Sequence, residues 1–111
     1  MSTMALIAPA TNAFAHAHLA SSAPAANAAI STPAVVTLRF TEPLEARFSG
    51  LEIKDAKGAT VKTAKQSATD PTILSVAPVA PLTPGAYRVN WHIVAHDGHR
   101  MRGDFSFTVK P

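Results

Sequence analysis

The sequence predicts an all-β chain, a β-sandwich or Greek-key barrel of about seven strands. Three observations carry that expectation. Several short stretches alternate apolar and polar residues with period two, the pattern of an extended chain with one buried face. Turn-forming clusters built on Gly, Pro and Asp separate these stretches at short intervals. Nine prolines in 111 residues leave little room for a long helix, because Pro lacks the backbone N–H and clashes with the preceding turn.

Taken in order, the first fifteen residues stand outside this pattern. Met4-Ala5-Leu6-Ile7-Ala8 is apolar, and Ala13-Phe14-Ala15 is the small-x-small form behind which a signal peptidase cuts. No Lys or Arg precedes the apolar run and Pro9 interrupts it. Residues 1–15 are therefore expected as a signal-peptide remnant or a disordered leader, and residues 16–111 as one domain. Cleavage after Ala15 makes His16 the first residue of the mature chain.

Residues 18–21 form a weak strand candidate, followed by a turn at Ala23-Pro24-Ala25. Residues 23–34 read as a connection. Val36, Leu38 and Phe40 share one face of a strand over 35–40, and Leu51 and Ile53 one face of a strand over 50–54. Lys57-Gly58 marks a turn. Residues 59–63 and 73–76 are weaker strand candidates, with a connection over 64–71 that ends in Asp70-Pro71. A short helical turn fits either connection. After Thr83-Pro84-Gly85, residues 86–94 place Tyr87, Val89, Trp91 and Ile93 on one face. Asp97-Gly98 is a hairpin signal, and Phe105, Phe107 and Val109 pattern the last strand.

With 47% hydrophobic residues the chain is long enough for a single core. There is no cysteine, so disulfides, thiolate metal sites and a cysteine nucleophile are excluded. The net charge of +3 is spread over isolated basic residues, without the run that nucleic acid would attract. No apolar run reaches the roughly 18 residues that span a bilayer, so stable membrane insertion is not expected.

Five histidines carry the chemical signal: His16, His18, His92, His96 and His99. Imidazole is the commonest metal ligand among side chains. Asp97 and His99, two apart around Gly98, can turn an imidazole and a carboxylate toward one point. On spacing alone the same Asp-Gly-His reads first as a plain hairpin turn with His99 solvated. If His16 is N-terminal, its α-amine and imidazole chelate one metal, and with Asp97 and His99 they make three nitrogens and one oxygen. A tetragonal set of that kind suits Cu(II). A rival site needs only the tail: the amine, two backbone amides and the imidazole of His18 at position three also wrap Cu(II). His96 reads as a neighbour of the site or an exposed residue, and His92, on the face opposite Trp91, as a surface residue.

The stretches HAHLASSAPA, LRFTEPLEARFSGLEI and PLTPGAYRVNWHIVAHDGHRMRGDFSFTV together resemble the CopC family of periplasmic copper-binding proteins across residues 16–109. The carrying motifs are the histidine start, F-[ST]-E-x-[IL] at Phe40–Leu44, L-x-x-G-x-Y-x-V-x-W at Leu82–Trp91, and D-G-H-x-x-x-G at Asp97–Gly103. The resemblance implies an Ig-like Greek-key β-barrel and one Cu(II) per chain, held by His16, Asp97 and His99, with Glu42 near the metal. It also implies a periplasmic location, a copper homeostasis or resistance role, and an inner-membrane CopD-like partner to which a monomeric carrier delivers copper. One departure stands out. Residues 54–71, where some family members carry a Met-rich Cu(I) loop, contain no methionine; the three in the chain are Met1, Met4 and Met101. Thioethers are the soft ligands Cu(I) needs, so Cu(II) alone is expected. Two alternatives belong to other classes: a histidine-brace copper oxygenase, and an Ig-like interaction domain without metal.

Overall fold

Alternating side chains close a two-layer sandwich when two sheets turn their apolar faces toward each other. The computed structural model describes residues 18–111; the expected leader at 1–15 and His16 lie outside the described residues. One sheet has the order β1-β3-β7-β6, formed by Leu19–Ala23, Val36–Phe40, Ile73–Pro78 and Thr63–Gln66. The other has the order β2-β9-β8-β4-β5, formed by Ala29–Ile30, Arg100–Val109, Gly85–Val94, Gly50–Lys54 and Thr60–Val61. All neighbours are antiparallel except β2, which runs parallel to β9.

The expected faces are the observed ones. Val36, Leu38, Phe40, Ile53, Tyr87, Val89, Trp91, Ile93, Phe105, Phe107 and Val109 are all buried in one core cluster. Phe40 meets Trp91 edge-on with ring centroids 5.1 Å apart, and Tyr87 stacks on Phe107 at 5.6 Å. Gly103 lies opposite Trp91 in the β8–β9 ladder. A Cβ there would fall inside the contact distance of the indole, so the last glycine of D-G-H-x-x-x-G is the seat of the tryptophan ring.

Three local expectations change. Residues 64–66, read as connection, join Thr63, the end of the weak 59–63 candidate, in β6: their backbone pairs with β7, but three of the four side chains are exposed, so this edge strand leaves no apolar alternation to read. Residues 29–30 add the short parallel β2 inside the other expected connection. No helical turn occupies either connection; among the described residues the 3-10 turn is at Ala46–Phe48.

The chain between β7 and β8 is locked by a tyrosine corner. Tyr87 Oη donates to the Thr83 carbonyl at 2.6 Å, and Gly85 supplies the positive φ of 146°, so the L-x-x-G-x-Y motif encodes a bend with its own brace. At the start of β7, Asp70 Oδ1 accepts from Thr72 Oγ1 at 2.7 Å and Thr72 N at 2.9 Å, while Oδ2 pairs with Arg39 at 3.0 Å. The Thr72 hydroxyl, then its backbone N–H and the Arg39 guanidinium, hold the Asp70 carboxyl below the ordinary 3.8.

Two outcomes are expected. Tyr87→Phe removes the brace and leaves the Thr83 carbonyl without its donor, which should cost about 1–2 kcal/mol in urea unfolding at unchanged m-value. The depressed Asp70 carboxyl stabilises the fold fully above its unfolded pKa, and that stabilisation disappears as pH falls through the lower folded value. The unfolding midpoints of Asp70→Asn and wild type should therefore differ at neutral pH and converge in strong acid; a gap that persists at low pH would refute this.

Candidate metal centre

The loop joining β8 to β9 is a tight hairpin connection. Gly98 N donates to the Ala95 carbonyl and Ala95 N to the His99 carbonyl, each at 2.8 Å, and Gly98 takes φ +93°, the left-handed position that closes a three-residue loop. The turn brings the two expected residues together. His99 N donates to Asp97 Oδ1 at 3.0 Å, and His99 Nδ1 lies 2.9 Å from Asp97 Oδ2. Both side chains are about half exposed, at 52% each. Turn and paired donors, set out above as alternatives, coexist at Asp97-Gly98-His99.

A second segment is stitched beside this loop. Leu44 bridges Ala95, His96 N donates to the Pro43 carbonyl at 2.9 Å, and Glu45 N to the Val94 carbonyl at 2.8 Å. His96 Nδ1 lies 3.3 Å from Glu45 Oε2; His96 is strongly exposed and belongs to this stitch. Ser49 is 4% exposed and acts as a polar rivet: its hydroxyl donates to the Glu45 carbonyl at 2.9 Å and accepts from Val94 N at 3.0 Å. Lys65 reaches across from the other sheet to the carbonyls of Ala46 and Ser49, at 2.6 and 2.8 Å.

The amino-terminal end of the described chain arrives at the same segment. His18 N donates to Thr41 Oγ1 at 2.8 Å and Thr41 N to the His18 carbonyl at 2.9 Å, while Leu19 pairs with Phe40. The F-T-E-P-L motif thus holds His18 at its front, through Thr41, and the Ala95–His99 loop at its back, through Pro43 and Leu44. Glu42 is exposed between these two attachments. His92 lies outward on β8, its ring close to Gly50. Among the described residues no three His, Asp or Glu side chains converge as a metal-binding group. Ser49, Thr41 and Lys65 were not singled out in the sequence. Thr41 lies within a motif, whereas a serine between Phe48 and Gly50 carries no pattern that distinguishes it.

Known proteins resemble the chain along nearly its whole length. The family model for the CopC domain matches residues 19–110. Protein YobA of Escherichia coli strain K12 is 41% identical over 111 residues, covering 97% of this chain and 88% of YobA. Copper resistance protein C of Xanthomonas campestris pv. juglandis is 40% identical over 106 residues, covering 89% of this chain and 84% of the relative. The crystal structure of PcoC, a methionine-rich copper resistance protein from Escherichia coli, superimposes with a TM-score of 0.79 at 35% identity, over 86% of this chain and 99% of that one.

Ser49→Ala should remove one donor and one acceptor from the buried rivet and destabilise the protein by about 1–3 kcal/mol. Amide exchange of Val94 should quicken by a larger factor than that of β2 residues, since the lesion is local.

Proposed function

The chain belongs to the CopC family, and from that premise we propose that it is a periplasmic copper carrier or buffer that binds one Cu(II) and passes it to an inner-membrane partner of CopD type. The observation that carries this reading is the Asp97–His99 pair. Its 2.9 Å separation between Oδ2 and Nδ1 matches the edge of a square whose corners lie about 2.0–2.1 Å from a central metal, the usual length of bonds from imidazole and carboxylate. A Cu(II) ion can take the place of the shared proton.

Two further donors are required for a tetragonal set, and His16 supplies both in this reading, as amine and imidazole. The support is positional. His18 is anchored to Thr41, two residues short of Pro43, whose carbonyl accepts from His96 N. A chain beginning at His16 therefore starts only two residues from a point fastened to the segment beside the Asp97–His99 turn. Glu42, exposed on that segment, is available as a neighbour or an occasional ligand. The anchoring of His18 also counts against the rival tail wrap, which needs the backbone around positions 16–18 to reorganise around the metal.

The preference for Cu(II) rests on the methionine-free residues 54–71, in contrast to the methionine-rich PcoC. Binding is favoured over oxygenase chemistry because the Asp97 carboxylate occupies the place beside His99 that a brace-type enzyme leaves open for its reaction. Phe48, at 59% exposure, is the one exposed aromatic among the described residues, too little for a polymer platform.

Cu(II) competition titrations on four proteins test the site: the form beginning at His16, the form retaining residues 1–15, and His99→Ala and His18→Ala in the first background. Retention of the leader turns the His16 amine into a planar, non-basic peptide nitrogen and should weaken Cu(II) binding by at least about 100-fold, more than the loss of an outer-sphere partner. His99→Ala should weaken it comparably and His18→Ala little. Equal affinity of the leader-bearing and cleaved forms would overturn the placement, and the reverse order of the two histidine variants would favour the tail wrap.

A further inference from the structure

The outer face of the β8–β9–β4 sheet changes character along its length. At the end nearest the Asp97–His99 turn, outward positions pair across strands in two rows. Gly50, His92 and Arg102 form one row, and Val94 and Arg100 the next. Arg100, Arg102 and His92 are exposed. Phe48, at the end of the 3-10 turn two residues ahead of Gly50, is 59% exposed, with the Arg47 guanidinium 5.5 Å from its ring centroid. Phe48, His92, Val94, Arg100 and Arg102, with Met101 and Gly98, line an open groove of about 610 Å³. Beyond it the sign alternates: Glu52, Asn90 and Asp104 share the next row, and Asp104 pairs with Arg88 at 3.1 Å.

We propose that this groove is a docking surface for an acidic polypeptide segment of a partner protein, one that carries carboxylates for Arg100 and Arg102 and an apolar side chain for the floor between Phe48 and Val94. Guanidinium groups recognise carboxylates in a bidentate fork. Arginine and exposed aromatic side chains are the residues around which protein interfaces concentrate their binding energy. The concave shape and short positive stretch suit a chain segment. A bilayer presents a flat, uniformly negative plane that would meet Glu52 and Asp104 on the same face. Because Gly98 of the metal-side turn is part of the groove wall, a segment lying here would place its owner next to Asp97 and His99. The inference deepens the copper-delivery reading and rests on it for its purpose; the docking itself needs no metal.

The test uses the metal-free protein and a fluorescently labelled synthetic peptide of alternating Glu and Leu, followed by anisotropy. The peptide should bind with an affinity that falls with added salt. Arg100→Glu combined with Arg102→Glu should weaken binding at least about tenfold, and Phe48→Ala should weaken it while leaving the salt dependence intact. Lys62→Glu combined with Lys110→Glu, away from the groove, should change it little. Circular dichroism and Cu(II) affinity should stay at wild-type values in the arginine variant, which separates loss of docking from loss of fold or of the copper site. Absence of binding, or equal loss in the lysine control, would overturn the proposal. So would binding to phosphatidylcholine–phosphatidylglycerol vesicles that depends on the two arginines while the peptide is ignored.

Discussion

The register between β8 and β9 is the constraint on which the rest depends. Ten consecutive pairs run from Gly85 opposite Val109 to Val94 opposite Arg100. This ladder sets three surfaces at once. It turns Tyr87, Val89, Trp91 and Ile93 with Phe105, Phe107 and Val109 into the core, sends Arg88, His92, Arg100 and Arg102 outward, and closes at one end in the turn that joins Asp97 to His99. A slip of one residue would exchange the two faces and push charged side chains into the apolar layer. Two features oppose the slip. Gly103 accommodates the Trp91 ring only when the two are paired, and the three-residue loop with its left-handed Gly98 matches only one alignment of the strands.

Much of this was readable in the residues themselves. The four strongly alternating stretches became β3, β4, β8 and β9, because a strand with one wet and one dry face must write its period into the chain. The elements that escaped notice are those whose backbone pairs without burying a row of side chains: β6, at a sheet edge, and the two-residue β2, which pairs in parallel with β9. The turn between β8 and β9 was legible as Asp97-Gly98-His99, and the same three residues place the imidazole beside the carboxylate. What stayed hidden was the machinery that holds neighbouring segments in place. Ser49 matters because it is buried between Glu45 and Val94, and Lys65 because it crosses between sheets to the carbonyls of Ala46 and Ser49; neither burial nor a crossing is encoded in local pattern. His96 and His92 illustrate the converse. Both are as histidine-like as His99, and only the fold separates them, one to the Glu45 stitch and the other to the outer face.

The division of labour between the two ends of the sandwich follows from chemistry as much as topology. The end closed by Tyr87 and Thr83 is braced by internal hydrogen bonds around an apolar plug. The opposite end, where residues 41–45, 94–99 and the incoming chain at His18 meet, gathers histidine and carboxylate side chains that stay substantially exposed. Exposure keeps them solvated and able to exchange partners, while the buried Ser49 and the main-chain stitches below hold their backbones still. The result is a rigid backbone support that carries accessible imidazole and carboxylate groups.

The pairing of Thr41 with His18, and of Leu44 with Ala95, joins segments from the beginning, middle and end of the chain. During synthesis the amino-terminal segments emerge well before residues 94–99, so the histidine–carboxylate turn is the last part of this junction to arrive. The junction is therefore a record of completion. A nascent or truncated polypeptide holds His18 and Thr41 without residues 94–99 beside them, and only a chain folded through its last hairpin presents the assembled end.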